Sequence, residues 1–206
     1  MLANASHELR TPLARIRLAV ELLRDAAEPE RRAGLEQDIA ELDALVDEIL
    51  LASRLDALGK LEAQEEVDLL ALAAEECARY EETLVEGDTC VMRGDPRLLR
   101  RMMRNLLENA HRHGAAPVEV SLRRVRGELE LRVCDAGAGV AEGERERVFE
   151  PFHRAFGARP GKGTGLGLAL VRQIARQHGG EAKCVGAGNC FSVTLPLSQD
   201  ARTHPE

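Results

Sequence analysis

Apolar side chains recur near the start of the chain at spacings of four, three, four and three: Leu9, Leu13, Ile16, Val20 and Leu23. A polar break at Ala27, Glu28, Pro29, Glu30 and Arg31 follows, and the rhythm then resumes with Leu35, Ile39, Leu42, Val46 and Ile49. This is the a/d stripe of two long helices lying side by side, with Pro29 and its neighbours as the turn. Two helices alone bury little, so the hairpin is expected to dimerise into a four-helix bundle. The stripe stops at Gly59 and a polar stretch follows, with Lys60, Glu62, Gln64, Glu65 and Glu66. The expected organisation is therefore a helical domain at 1–58, a linker at 59–66, a second domain at 67–198 and a frayed tail at 199–206.

Beyond the linker the periodicity alternates between helical and extended. Val67 to about Glu81 reads as a helix. Asp95-Pro96 is an N-cap and first-turn pair for a helix through Leu98, Leu99, Met102, Leu106 and Leu107 to a stop at Gly114. Val118, Val120 and Leu122 alternate with polar residues, as do Leu129, Leu131 and Val133, with Arg126-Gly127 between them as a hairpin turn. A further helix spans about Leu168 to Gln177, and Glu181–Val185 and Phe191–Leu195 read as two last strands. Helices set against a mainly antiparallel sheet make an α+β two-layer sandwich.

Composition narrows the function. The 206 residues carry a net charge of −7, which argues against nucleic acid as the main partner, since a phosphate binder needs a basic face. Aromatics are 2% of the chain, so the cores rest on aliphatic side chains. No apolar run approaches the roughly 20 residues that cross a bilayer. The five cysteines, Cys77, Cys90, Cys134, Cys184 and Cys190, are scattered and never spaced C-x-x-C. They read as buried free thiols in a reducing, cytoplasmic setting.

Candidate chemistry begins at His7. Each helical residue turns about 100°, so His7 lies roughly 160° from the Leu9/Leu13/Ile16/Val20 stripe and faces solvent. Thr11 is one turn along the same face, with Leu18 beyond it. Pro12 sits inside the periodic stretch, where it removes a backbone bond and kinks the helix. Exposed Leu18 and Leu22 suit either a docking patch or packing against the second domain.

Three segments of the second domain suit a nucleotide. Asn105 and Asn109 fall at i and i+4, on one helix face. Asp135-Ala136-Gly137-Ala138-Gly139 follows a predicted strand; its carboxylate can accept a hydrogen bond from an exocyclic amine while the glycines let the backbone close on a flat ring. Gly163-Thr164-Gly165-Leu166-Gly167 opens a helix, where free amides suit phosphate oxygens. Two rival phosphate motifs fail. The stretch Gly157 to Gly163 has one residue too few for a P-loop and a glycine where its Ser or Thr should stand. The G-x-G-x-G run lacks the spacing and βαβ setting of a dinucleotide fold.

Ser6-His7-Glu8-Leu9-Arg10-Thr11-Pro12-Leu13 resembles the phosphoacceptor box of bacterial two-component sensor histidine kinases. The later segments, with Phe149-Glu150-Pro151-Phe152, His178-Gly179-Gly180 and the closing Phe191 to Pro196, resemble in order the boxes of that family's catalytic domain. This domain is of the gyrase/Hsp90/histidine-kinase/MutL type. The resemblance covers about residues 1 to 198. It implies an ATP-dependent autokinase in which His7 takes the phosphoryl group and passes it to an aspartate of a response regulator receiver domain. Glu8 would orient or deprotonate the imidazole, and Thr11 would help dephosphorylate the regulator. Asn109 would hold Mg²⁺ with Asn105 as its partner, and Asp135 would read adenine in a pocket shaped by Gly137 and Gly139. Arg112 and His113 match a basic and an aromatic position near the phosphates, His113 being a departure. Arg154 would serve in a lid over about 154–163, and Gly163, Thr164, Gly165, Leu166 and Gly167 would line the phosphates.

The resemblance further implies a homodimer, and membrane attachment only through a segment upstream of this chain, as in the cytoplasmic portion of an inner-membrane receptor. An ATP-binding dimeric interaction module without autokinase activity is the alternative. A gyrase-style hydrolase would need a carboxylate base where Asn105 stands.

Overall fold

A computed structural model describes residues 29–57, 64–153 and 165–197. The expected first helix, with His7, Glu8, Thr11, Leu18 and Leu22, lies outside the described residues. So do the expected lid at 154–163, with Arg154 and Gly163, the adjoining Thr164, and the tail. The chain divides into two compact units, Met1–Ala57 and Leu58–Glu206.

In the first unit helix α1 runs Pro29–Ala57. Pro29 is its first residue rather than part of the turn, because a missing N–H costs nothing where no carbonyl precedes it. Ile39 is buried and packs against Val46, and Leu50 and Leu55 are buried further along. Leu42, on the same predicted stripe, is 47% exposed in the single chain.

The second unit is built from β1 (Glu65–Asp68), α2 (Leu69–Cys77), β2 (Thr83–Gly87), β3 (Val91–Gly94), α3 (Pro96–His113), β4 (Val118–Val125), β5 (Glu128–Cys134), α4 (Gly167–Gln177), β6 (Glu181–Val185) and β7 (Cys190–Pro196). Strands β2-β4-β5-β7-β6 form one sheet in that order; β2 pairs parallel to β4 and the other pairs are antiparallel. A second sheet pairs β1 with β3. Val118, Val120, Leu122, Leu129, Leu131, Val133, Val193 and Leu195 are buried, while alternate residues such as Glu119, Arg123 and Arg132 are exposed. One face of the large sheet thus carries the helices and the other meets water, the expected α+β two-layer sandwich. The 118–134 hairpin and the final strands stand where the alternation put them.

The single helix expected over Val67 to Glu81 is instead β1 followed by α2. Asp68 accepts hydrogen bonds from the amides of Leu70 and Ala71, so it caps a helix that starts at Leu69. What precedes the cap is extended and pairs with β3. Burying Glu76 of α2 pulls its carboxyl upward in pKa, but hydrogen bonds from Arg104 and Arg100 outweigh this and hold it below the ordinary value.

Asp95 caps α3 as expected, accepting from the amides of Arg97 at 2.8 Å and Leu98 at 3.3 Å. Asp95→Ala should lower stability by about 1 kcal/mol with an unchanged urea m-value. The Asp95 amide in turn donates to His178 Nε2, so the ring proton sits on Nδ1, which donates to the Ile174 carbonyl at 2.7 Å. His178 thereby ties the start of α3 to the end of α4.

Burial holds the His178 pKa below its ordinary value, and the Ile174 bond and Asp95 only partly offset this. The neutral ring belongs to the fold. Its stabilisation is complete above about pH 6.5 and is lost as pH falls toward the depressed value, because the unfolded chain then binds the proton first. Thermal melts between pH 8 and 5 should therefore show an acid-side loss that His178→Asn flattens.

Cysteine usage departs from expectation. Cys134 and Cys190 form a disulfide. The β5–β7 register sets them directly opposite each other despite a sequence separation of 56, a proximity no local pattern announces. Cys77 and Cys90 are free and buried, and Cys184 is free and half-buried. Burial, with Glu76 adjacent, pushes the Cys77 thiol up to about 11.

Candidate functional site

The site is assembled where the C-terminal half of α3 passes between the end of β5 and the start of α4. Asp135, one residue past β5, is 8% exposed, and its Oδ1 accepts from the Gly137 amide at 2.7 Å and the Ala115 amide at 3.4 Å. Every hydrogen bond its carboxylate makes among the described residues falls on Oδ1, which leaves Oδ2 for an outside donor. The surrounding glycines are required by space. A Cβ on Gly114 would stand 2.2 Å from Asp135 Cγ, and one on Gly137 2.7 Å from Asp135 Oδ1. Gly139 has φ of +73°, and a Cβ there would press on the Ala187 carbonyl and Asn189 amide.

Asn189, which the sequence reading did not single out, completes this corner. The Asp135 amide donates to the Asn189 carbonyl, and Asn189 Nδ2 donates to the Asp135 carbonyl at 2.7 Å. The sequence signal was a glycine-rich turn before the last strand; its partner 54 positions away was not visible.

Along α3, Asn105 is buried, and its Nδ2 donates to the Gly167 carbonyl at 3.1 Å, fastening α3 to the first turn of α4. Asn109, one turn on, is partly exposed, and its amide makes no hydrogen bond among the described residues. Arg112 and His113 are exposed at the helix end. The intervening His111 stacks on Tyr80 and meets Thr83 Oγ1 at 2.8 Å, so it engages the turn between α2 and β2.

At the other end, α4 starts at Gly167 with Leu166 as its N-cap and no side-chain cap, unlike α2 and α3, which Asp68 and Asp95 close. First-turn amides without a cap suit an anion. Gly165 has φ of +72°, and a Cβ there would meet the Phe152 backbone at 2.9 Å. The Phe152 amide donates to the Gly165 carbonyl at 3.0 Å. Phe149 is buried edge-on against Phe191, with the Arg172 guanidinium 4.0 Å over its ring. Nine residues of helix separate Asn105 from Gly114, roughly 13 Å at 1.5 Å per residue. The carboxylate corner and the uncapped helix start thus stand apart by about the length of an extended nucleotide, with Asn109 on the helix between them.

No three His, Cys, Asp or Glu side chains among the described residues are grouped to hold a metal. A lone, unpartnered Asn109 amide does fit Mg²⁺, which takes few protein ligands when phosphates supply the rest.

Residues 94–199 match the family of histidine kinase-, DNA gyrase B- and HSP90-like ATPases, whose fold the second unit shares. Residues 1–58 match the His Kinase A (phospho-acceptor) domain. With both domains in one polypeptide, the chain belongs to the sensor histidine kinases of two-component systems.

The sensor protein RstB of Escherichia coli strain K12 is 36% identical over 213 residues, covering 96% of this chain and 48% of RstB. The sensor-type histidine kinase PrrB of Mycobacterium tuberculosis strain H37Rv is 38% identical over 192 residues, covering 87% of this chain and 43% of PrrB. The chain thus spans about half the length of these relatives. Among solved structures, full-length ShkA in complex with AMPPNP superposes with a TM-score of 0.77 at 25% identity, covering 96% of this chain and 45% of ShkA. The ATP binding domain of M. tuberculosis PrrB gives 0.54 at 36% identity, over 67% of this chain and all of that domain. No helix among the described residues is long and apolar enough to cross a membrane.

Proposed function

We propose that this chain is an ATP-dependent histidine autokinase that phosphorylates His7 and delivers the phosphoryl group to an aspartate of a response regulator receiver domain. The observation that carries the nucleotide half is the Asp135 carboxylate, fixed through Oδ1 by two backbone amides and open at Oδ2. That atom accepts the exocyclic amine of adenine, and Gly114 and Gly137 leave room for the carboxylate itself, which a Cβ at either position would displace. The uncapped start of α4, with Gly163, Thr164, Gly165, Leu166 and Gly167, receives the phosphates. Asn109, with Asn105 one turn earlier, would hold a Mg²⁺ ion, which would supply charge neutralisation to the phosphates. The AMPPNP complex of ShkA supports the choice of an ATP-like ligand.

A His7 ring nitrogen attacks the γ-phosphorus in line with the bond to the β-phosphate. The N–P bond forms, the P–O bond breaks, and ADP leaves with the electron pair. Glu8 orients the imidazole and draws off the proton on its other nitrogen. Arg112, His113 and Arg154 stabilise charge on the phosphates. Two copies pair through their helical hairpins, which gives the exposed Leu42 a partner to pack on. Thr11 serves the reverse task, positioning water to dephosphorylate the regulator.

Incubation with Mg-ATP carrying γ-labelled phosphate tests the reading. Acid-labile, alkali-stable label on the protein is expected. ATP turnover into free phosphate without protein label would replace autokinase by hydrolase.

A further inference from the structure

Inward and outward residues alternate along β5: Leu129, Leu131 and Val133 are buried under the helices, while Glu128, Glu130, Arg132 and Cys134 take the other face. Cys134 and its opposite Cys190 on β7 therefore cross-link the strands on the helix-free face, and both are half-buried, within reach of a small thiol. Their chain neighbours are what matter. Asp135 follows Cys134 and Asn189 precedes Cys190, and these two exchange the hydrogen bonds that close the carboxylate corner. The same turn receives the Val140 amide at Gly188 and backs Gly139. The covalent bond thus sits on the last rung of the ladder, at the hinge of the D-x-G-x-G loop.

We propose that Cys134 and Cys190 form a reversible thiol–disulfide modification site whose state sets how firmly the Asp135 loop is held to the 186–189 turn. The oxidant is a low-molecular-weight disulfide of the glutathione type. A thiolate of the pair attacks one sulfur of that disulfide and expels a thiolate, leaving a mixed disulfide. The second cysteine then attacks the protein sulfur and expels the other thiolate. The protein loses two electrons and two protons; the oxidant becomes two thiols, and excess thiol reverses both steps.

The remaining cysteines do not compete. Cys77 and Cys90 are buried, and Cys184 pairs in register with Phe191, on the opposite face of the sheet from Cys190. The consequence for nucleotide binding rests on the proposed role of Asp135; the cross-link and its effect on the loop do not.

The test uses the full chain equilibrated in reduced or oxidised glutathione. Peptide mapping without reductant should give a Cys134–Cys190 peptide lighter by two hydrogens in the oxidised sample alone. Amide hydrogen exchange at Asp135 and Val140 should be about tenfold slower in that sample, as a cross-link at the end of a ladder suppresses local opening. Cys134→Ser and Cys190→Ser should each exchange at the reduced rate in both solutions, and Cys184→Ser should respond as wild type does. Thiols that stay free at every glutathione ratio, a link through another cysteine, or equal exchange in the two states would overturn the proposal. Titration of a fluorescent ATP analogue runs alongside: if neither state binds it, the nucleotide reading falls while the exchange rates still decide the modification site.

Discussion

His7→Gln should abolish acid-labile phosphorylation and leave nucleotide binding at the wild-type level. Glutamine is a polar side chain of similar length, yet it has no ring nitrogen with a lone pair to attack phosphorus. Binding is expected to survive because the hydrogen bonds that position Asp135 and the start of α4 among the described residues join partners within the second unit. Radiolabel and analogue titration on one preparation read the two halves separately. Residual label at the wild-type level would move the acceptor to one of the other histidines.

Asp135→Asn should lower ATP affinity by about a hundredfold, the penalty expected when a site built around a hydrogen bond confronts the wrong partner. The substitution keeps Oδ1, so the Gly137 and Ala115 amides retain their acceptor and the loop keeps its shape. It turns the other oxygen into an NH₂ donor facing the adenine amine, also a donor. An inosine nucleotide, which offers a carbonyl oxygen at that ring position, should lose far less and so separates base reading from general damage. Equal weakening for both nucleotides, or a falling melting temperature, would put Asp135 in a purely structural role.

What could be read in advance follows the range of the interactions. Helix α3 was legible because its signals are local: the Asp95 cap, Pro96 in the first turn, apolar positions three and four apart and the Gly114 stop. The 118–134 hairpin was legible because strict alternation brackets Arg126-Gly127. Strand β1 was not, since four residues are too few to establish a period and their apolar member runs straight into the leucines of α2. Strands β2 and β3 failed for the same reason, being short, with Gly87 and Gly94 at their ends.

In the candidate site, Asp135, Gly137 and Gly139 announce themselves by spacing, and Asn105 and Asn109 by their helical offset. The part Asn189 plays in the corner does not appear until β5 and β7 are laid in register. Nor could spacing tell the two asparagines apart. The structure engages Asn105 with the Gly167 carbonyl and leaves Asn109 open.

The single bond from the Phe152 amide to the Gly165 carbonyl bears on the length of chain it closes. Both edges of the interval between those residues are pinned to the rigid body of the domain, one through Phe149 and Arg172, the other through Asn105 and the α4 start. The placement of Phe152 and Gly165 themselves therefore rests on contacts outside the interval between them. In general, doubling the length of a connection between fixed ends costs only about 0.6 kcal/mol in closure entropy. A change in the number of residues between Phe152 and Gly165 is therefore expected to leave both edges in place.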